Sequence, residues 1–270
     1  MAVAPPIYVP APPVTPARYG LLTAGDLVVD TDPHMRNGIE WQDPPCGPAK
    51  LDAAACNEPH DRTDVADGMP VGTAGPIVVY NGFTCRVVGL DEPTLLERAR
   101  AALANGEAAA VEQALWASAE RRLMETGPNA TVELSAAPVS LVKGVGLLEA
   151  HLRSEYGGIG VIHAPALVAA HAARDRQVST EAGQKVTELG HRWSFGTYPN
   201  TGPDGVAAEA DTAWLVATGA ITYRRTEARV RPGSLAEALD TLTNEVFAIA
   251  ERTYVVNWSC VRAAVQVSLT

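Results

Sequence analysis

The chain has 270 residues, of which 47% are apolar, 19% charged and 6% aromatic. That is the composition of a globular protein with a sizeable core, not of a disordered or fibrous one. Its 31 acidic and 21 basic side chains leave a formal charge of −10, which disfavours sequence-independent binding of nucleic acid, because that affinity comes from Lys and Arg on phosphates. The longest apolar run is well short of the roughly 18–20 residues that cross a bilayer, so no transmembrane helix and no membrane partner is expected.

The first residues, MAVAPPIYVPAPP, lack the basic and apolar regions of a secretory leader, so the expected compartment is the inside of a cell. Thirteen of the 20 prolines lie within residues 1–76, six of them in the first 16. Proline fixes φ and removes a donor, so this stretch predicts extended backbone broken by turns at Asp32-Pro33, Asn37-Gly38, Asp43-Pro44-Pro45 and Asp67-Gly68. It is too apolar for a solvated linker. Ile7, Tyr8, Val9, Val14 and Tyr19 need cover that the prolines deny them within a sheet, which predicts a strap lying across a neighbouring copy and outside the subunit's own core.

Order is expected after residue 76. Residues 77–80 and 84–88 read as two strands around an Asn81-Gly82 hairpin turn. Asp91-Glu92-Pro93 then opens a helix, interrupted at Gly106 and running to about Glu125, with Leu96, Leu103, Val111 and Leu115 as its core residues. Leu141, Val145, Leu148 and Leu152 recur at spacings of four, three and four, an amphipathic helix. A buried strand over 159–163 and a second helix, begun by Pro165, follow. Strands are predicted over 185–189, 191–198, 212–218 and 220–225. A last helix over 235–252 carries Leu239, Leu242, Val246 and Ile249, and a half-buried strand over 261–269 ends the chain.

Chemistry is sparse. There is no Walker loop, nucleophile elbow, H-E-x-x-H or complete G-x-G-x-x-G, and the Gly-rich stretches at 144–146 and 157–160 are misplaced for a phosphate loop. The four cysteines, Cys46, Cys56, Cys85 and Cys260, form no C-x-x-C pair of the kind a zinc site uses. Cys46 and Cys56 bracket a short Pro-rich interval and pair only in an oxidising setting; free thiols are expected inside a cell. His163, at a strand end, and His171 are the candidates for an α/β enzyme, but neither has an acid or nucleophile at motif spacing, so a structural histidine is expected. No catalytic, cofactor-binding or metal-binding residue is predicted. One mixed domain with a long apolar arm points instead to assembly with copies of itself.

Several blocks carry a resemblance. The helix over 91–125, the helix–strand–helix of SLVKGVGLLEAHLRSEYGGIGVIHAPALVAAH (140–171), LGHRWSFGTYPNTGPDG (189–205), TAWLVATGAITYRRTEARV (212–230) and TNEVFAIAERTYVVNWSCVRAAVQVSL (243–269) together resemble the major capsid proteins of tailed bacteriophages, a shell fold of the Hong Kong 97 type shared with encapsulins. The resemblance implies an α+β fold. Its parts would be an N-terminal arm (1–30), an extended loop and hairpin (31–90), a spine helix with the peripheral domain (91–138), an axial domain (139–235) and a return to the peripheral domain (236–270).

It also implies a structural subunit, not an enzyme, that self-assembles as pentamers and hexamers into an icosahedral head enclosing DNA. The implied partners are further copies, with scaffolding, portal or decoration proteins; the implied place is the virion, assembled in the bacterial cytoplasm. Another head or tail component, or an encapsulin-type compartment, is the nearest alternative. The α/β enzyme using His163 and His171 is the alternative from a different class.

Overall fold

The computed structural model describes residues 12, 14–44, 46, 47, 49, 69–86 and 89–270. The longest helix begins where Asp91 accepts a hydrogen bond from the Thr94 N–H at 2.9 Å, an N-cap beside Pro93 in the first turn. This helix is α2, Glu92–Ala117, about 39 Å long at 1.5 Å per residue. Gly106 does not interrupt it, and it stops at Ala117, with turns carrying the chain on past residue 125. Its inward stripe is Leu95, Ala99, Leu103, Val111, Leu115 and Trp116. Leu96, expected in the core, is only half-buried, because the spacing of four from Leu95 to Leu103 puts Leu95 on the inner line and Leu96 on its flank.

A six-stranded sheet lies against α2. It is built from β1 (Asp26–Val29), β4 (Ile77–Arg86), β12 (Ile221–Arg225), β13 (Arg229–Arg231), β14 (Leu239–Asp240) and β15 (Glu245–Trp258). Two short strands, β2 (Ile39–Gln42) and β3 (Val71–Ala74), pair separately at the root of a loop. Before them come one helical turn, α1 (Leu21–Ala24), and a 3-10 turn, Pro33–Asn37.

Two sequence expectations fail in this sheet. Residues 77–86 form one continuous strand, antiparallel to β15 from Ile77↔Tyr254 to Arg86↔Glu245, not a hairpin. Gly82 serves close approach: a side-chain carbon there would collide with the Ala248 carbonyl oxygen. Asn81 uses its side chain to reach the Ala102 carbonyl of α2 at 2.8 Å. The helix expected over 235–252 is also absent. Only a single turn, α5 (Leu235–Ala238), is helical, and 245–258 is strand. Val246, Ala248 and Ala250 are buried at period two, while Leu242 is 95% exposed. The spacings of three and four among Leu239, Leu242, Val246 and Ile249 thus imitated a helix that the β-branched and aromatic run at 253–258 does not favour.

The second sheet has eight strands: β5 (Val132–Glu133), β6 (Val139–Ser140), β7 (Val161–Pro165), β8 (Ser179–Glu181), β9 (Gln184–Val186), β10 (Arg192–Gly196), β11 (Thr212–Thr218) and β16 (Arg262–Ser268). At its centre β7 runs parallel to β10 and antiparallel to β11, and β11 is antiparallel to β16. One face is covered by α3 (Leu141–Glu155) and α4 (Val168–Arg174). Pro165 ends β7 and does not start α4. Leu141, Val145, Leu148 and Leu152 of α3 fill the second core with Trp193, Leu215, Val265 and Val267. From the opposite face Val161, Val216 and Ala264 join the first core.

The sheets cut across the contiguous partition expected from the sequence. β12, inside the expected axial part (139–235), pairs in the six-stranded sheet, and β16, inside the last part (236–270), pairs in the eight-stranded one. The final 50 residues therefore link both cores instead of returning to one.

Candidate assembly site

Two places tie irregular segments to this frame, and both are polar. The first is Glu112, on α2, only 3% exposed. Its Oε1 accepts the Leu21 N–H at 2.8 Å and its Oε2 the Thr197 N–H at 2.7 Å. Burial pushes this carboxyl above its ordinary value, and the two N–H bonds oppose that shift. Gly20 and Gly196 leave the space it occupies, since a side-chain carbon at either would collide with the carboxylate. Around it, the Phe195 N–H donates to the Tyr19 carbonyl at 2.7 Å, the Tyr223 hydroxyl to the Leu22 carbonyl at 2.9 Å and Arg192 to the Ala24 carbonyl at 3.0 Å.

This anchor marks where the arm joins the subunit. Leu21 and Ala24 belong to the first core, directly after the expected strap of residues 1–20. Tyr19 is half-buried against its own chain, with Lys185 Nζ 5.1 Å from its ring centre. Val14 is 62% exposed. Ile7, Tyr8 and Val9 lie outside the described residues.

The second place is the loop root. Met35 and Ala74, with Ile39 and Trp41 packed against them, cover Val255 on the outer face of β15. The Arg121 guanidinium lies between two indoles, 4.9 Å from Trp41 and 4.4 Å from Trp258, and donates to the Trp258 carbonyl at 2.9 Å. Burial lowers the Arg121 pKa, opposed chiefly by Asp43. Asp43 in turn accepts from the Trp41 indole N–H at 2.7 Å. Arg262 braces the same corner through Glu125 at 2.7 Å and the Arg122 carbonyl at 2.6 Å. A cavity of about 520 Å³ opens here among Asp43, Glu120, Arg121, Trp258, Cys260 and Arg262. A disulfide joins Cys46 to Cys260 with Cα atoms 5.8 Å apart. That partner differs from the Cys56 expected for Cys46 in an oxidising setting; Cys56 lies outside the described residues.

The two candidate histidines make no comparable site. His163 is fully buried, its Nδ1 3.0 Å from the Tyr198 hydroxyl and its Nε2 3.2 Å from Thr218 Oγ1. Tyr198 also meets Ser194 Oγ at 2.7 Å. Burial lowers the His163 pKa to about 3, far from the value a general base needs near neutrality. His171 lies on α4, half-buried. Among the described residues no cluster of three or more His, Cys, Asp or Glu is placed to hold a metal ion, and no helix is long and apolar enough to cross a membrane.

Sequence reasoning missed Glu112, Arg121 and Cys260. One signal was available for Glu112: an acid adjacent to Val111 and one turn from Leu115 on an apolar stripe.

No protein-family model matches the sequence, and no curated protein matches it. Solved structures do. The capsid of the native GTA particle matches at 12% identity over 98% of this chain and 95% of that chain, TM-score 0.57. The encapsulin SrpI in its holo complex from Synechococcus elongatus PCC 7942 matches at 9% identity over 98% of this chain and 94% of that chain, TM-score 0.52. The capsid of Ralstonia phage GP4 matches at 6% identity over 98% and 95%, TM-score 0.52.

The chain has the Hong Kong 97-type fold. In this Hong Kong 97-type chain α2 is the long spine helix, and the arm anchor and the loop root tie the flanking residues 19–24 and 35–43 to the two sheets.

Proposed function

We propose that the chain is a structural shell subunit that self-assembles into the icosahedral head of a tailed bacteriophage around its DNA. The observation that carries the reading is the end-to-end likeness to shell proteins, 98% of this chain on 95% of the GTA capsid chain. The surface agrees. On the outer face of the six-stranded sheet Val78, Tyr80 and Phe247 are 58%, 72% and 50% exposed, apolar area of a kind that contacts between copies cover. The formal charge of −10 suits a container that holds DNA without adhering to it.

The partners in this reading are copies of the chain in pentamers and hexamers, with portal, scaffolding or decoration proteins, and the place is the virion, after assembly in the host cytoplasm. The arm upstream of Tyr19 reaches a neighbouring subunit. Expression of the full chain, with sedimentation and negative-stain microscopy, tests the proposal. Closed particles of megadalton size are expected; a small soluble oligomer overturns it, and closed particles filled with protein cargo and free of DNA move it to a compartment shell. Deleting residues 2–16, which spares the Glu112 anchor, should leave normal circular dichroism and abolish or weaken the particles. Particles of unchanged thermal stability would reduce the arm to decoration.

A further inference from the structure

Cys46 follows β2 by only three intervening residues on the outgoing limb of the loop and is exposed, whereas Cys260 lies in the turn that joins β15 to β16 and so connects the two sheets. The Cα separation of 5.8 Å is in the range a disulfide requires. Cys260 has φ +67°, a left-handed conformation that is normally left to glycine or asparagine. A cysteine kept there points to a use for its side chain. Non-covalent contacts already seat the loop root on the same corner, through Trp41 on Arg121 and Met35 on Val255. These contacts and the bond meet at one corner of the fold.

We propose that Cys46 and Cys260 are a redox latch that fixes the root of the extended loop to the junction of the two sheets. In closing, each thiol gives up its proton and the pair gives up two electrons to a small-molecule disulfide such as oxidised glutathione, which leaves as two thiols; excess reduced thiol runs the exchange backwards. The exposed Cys46 is the sulfur such a reagent reaches. A reducing cytoplasm keeps the latch open and an oxidising medium closes it. On the shell reading above, on which this timing alone rests, the loop root is adjustable during assembly and locked in the released particle.

The test uses the full-length protein equilibrated with oxidised or reduced glutathione. Alkylation and peptide mass mapping of the oxidised sample should find Cys46 linked to Cys260. Hydrogen exchange should then show the β2 and β3 amides at least tenfold better protected in oxidised than in reduced protein, with Cys46→Ser matching the reduced wild type and α3 unchanged in every sample. A Cys46–Cys56 link or two free thiols after oxidation overturns the proposal, as does equal β2–β3 protection in both states. Particle formation is scored separately: its failure strikes the shell reading and leaves the latch standing.

Discussion

The two cores are held by different means. The one under α3 is drawn from two stretches of chain, 141–217 and 261–269, and centres on Leu148, Trp193, Leu215 and Val265. The one under α2 gathers α1, β4, α2, β12 and β15 from across the sequence, and it contains charge. Glu107 pairs with Arg252 at 2.6 Å, both nearly buried, and Glu112 receives two backbone N–H groups. The eight-stranded sheet shows the same division between its faces. Ile162, Trp193 and Ala217 point to α3 and α4, whereas His163, Ser194 and Thr218, one residue along each strand, form the hydrogen-bonded layer on the other side. A helix laid on a sheet needs only matching apolar surfaces. A one-turn helix such as α1 arrives with unsatisfied N–H groups, so seating it inside a core requires a buried acceptor.

That contrast is sharpest under a charge placed where no partner waits. Leu103 is 2% exposed in the first core, and Leu103→Asp should prevent folding, since an unpaired buried carboxylate costs several kcal/mol against a typical total of about 5–15. Soluble Leu103→Asp protein with cooperative melting would show that α2 is peripheral. In the second core Leu148→Ala should cost about 2–5 kcal/mol through lost contacts and the cavity left behind, read from denaturant midpoints. Hydrogen exchange at Leu21 should not change; if the arm loosens too, the cores are not separable.

Glu112→Gln tests the polar seat itself. Glutamine offers one acceptor oxygen where two N–H groups wait, so one is orphaned at a cost of about 1–3 kcal/mol, with lost protection expected at Leu21 or Thr197. Because burial holds Glu112 above its ordinary pKa, its folded form retains the proton longer than the unfolded chain does. Its contribution is therefore favourable at low pH and declines as pH rises between those two values, a dependence the Gln variant should lack.

His163 gives the comparison a pH dependence. Its folded pKa is lowered to about 3, so on acidification the unfolded chain takes up the proton first. Stability from this group is complete above its ordinary value near 6.5 and declines as pH falls toward about 3, by up to roughly 1.4 kcal/mol per pH unit. His191, also lowered by burial, adds to the same slope. Melting between pH 6.5 and 5 should be flatter for His163→Gln than for the wild type; equal slopes would mean that His163 meets water in the folded protein.

How far the sequence could be read depended on where each element finds its partner. The cap at Asp91, the stripe of α3 and the alternation of β16 are local signals, and each names its own element and buried face. β15 sends no such unambiguous signal. Its first half is compatible with either period, and it becomes a strand because β4, from 160 residues earlier in the chain, supplies ten residues of antiparallel pairing. Gly82 carries the same lesson: Asn-Gly is a turn when nothing competes, and a flat strand position when a neighbouring carbonyl needs the space.

The sequence by itself determined the segregation of prolines into the first 76 residues, the spine helix, the α3–β7–α4 unit, the acidic balance and the absence of motif chemistry. These are properties of composition and of neighbours within a few turns. Only the tertiary structure decided that Leu96 yields the inner line to Leu95, that Glu112 seats the arm, that Arg121 is stacked between Trp41 and Trp258, and that Cys46 meets Cys260 across 214 residues. Each of those pairs residues with no periodic relation in the chain, and their contact exists only once two sheets have fixed where distant segments end.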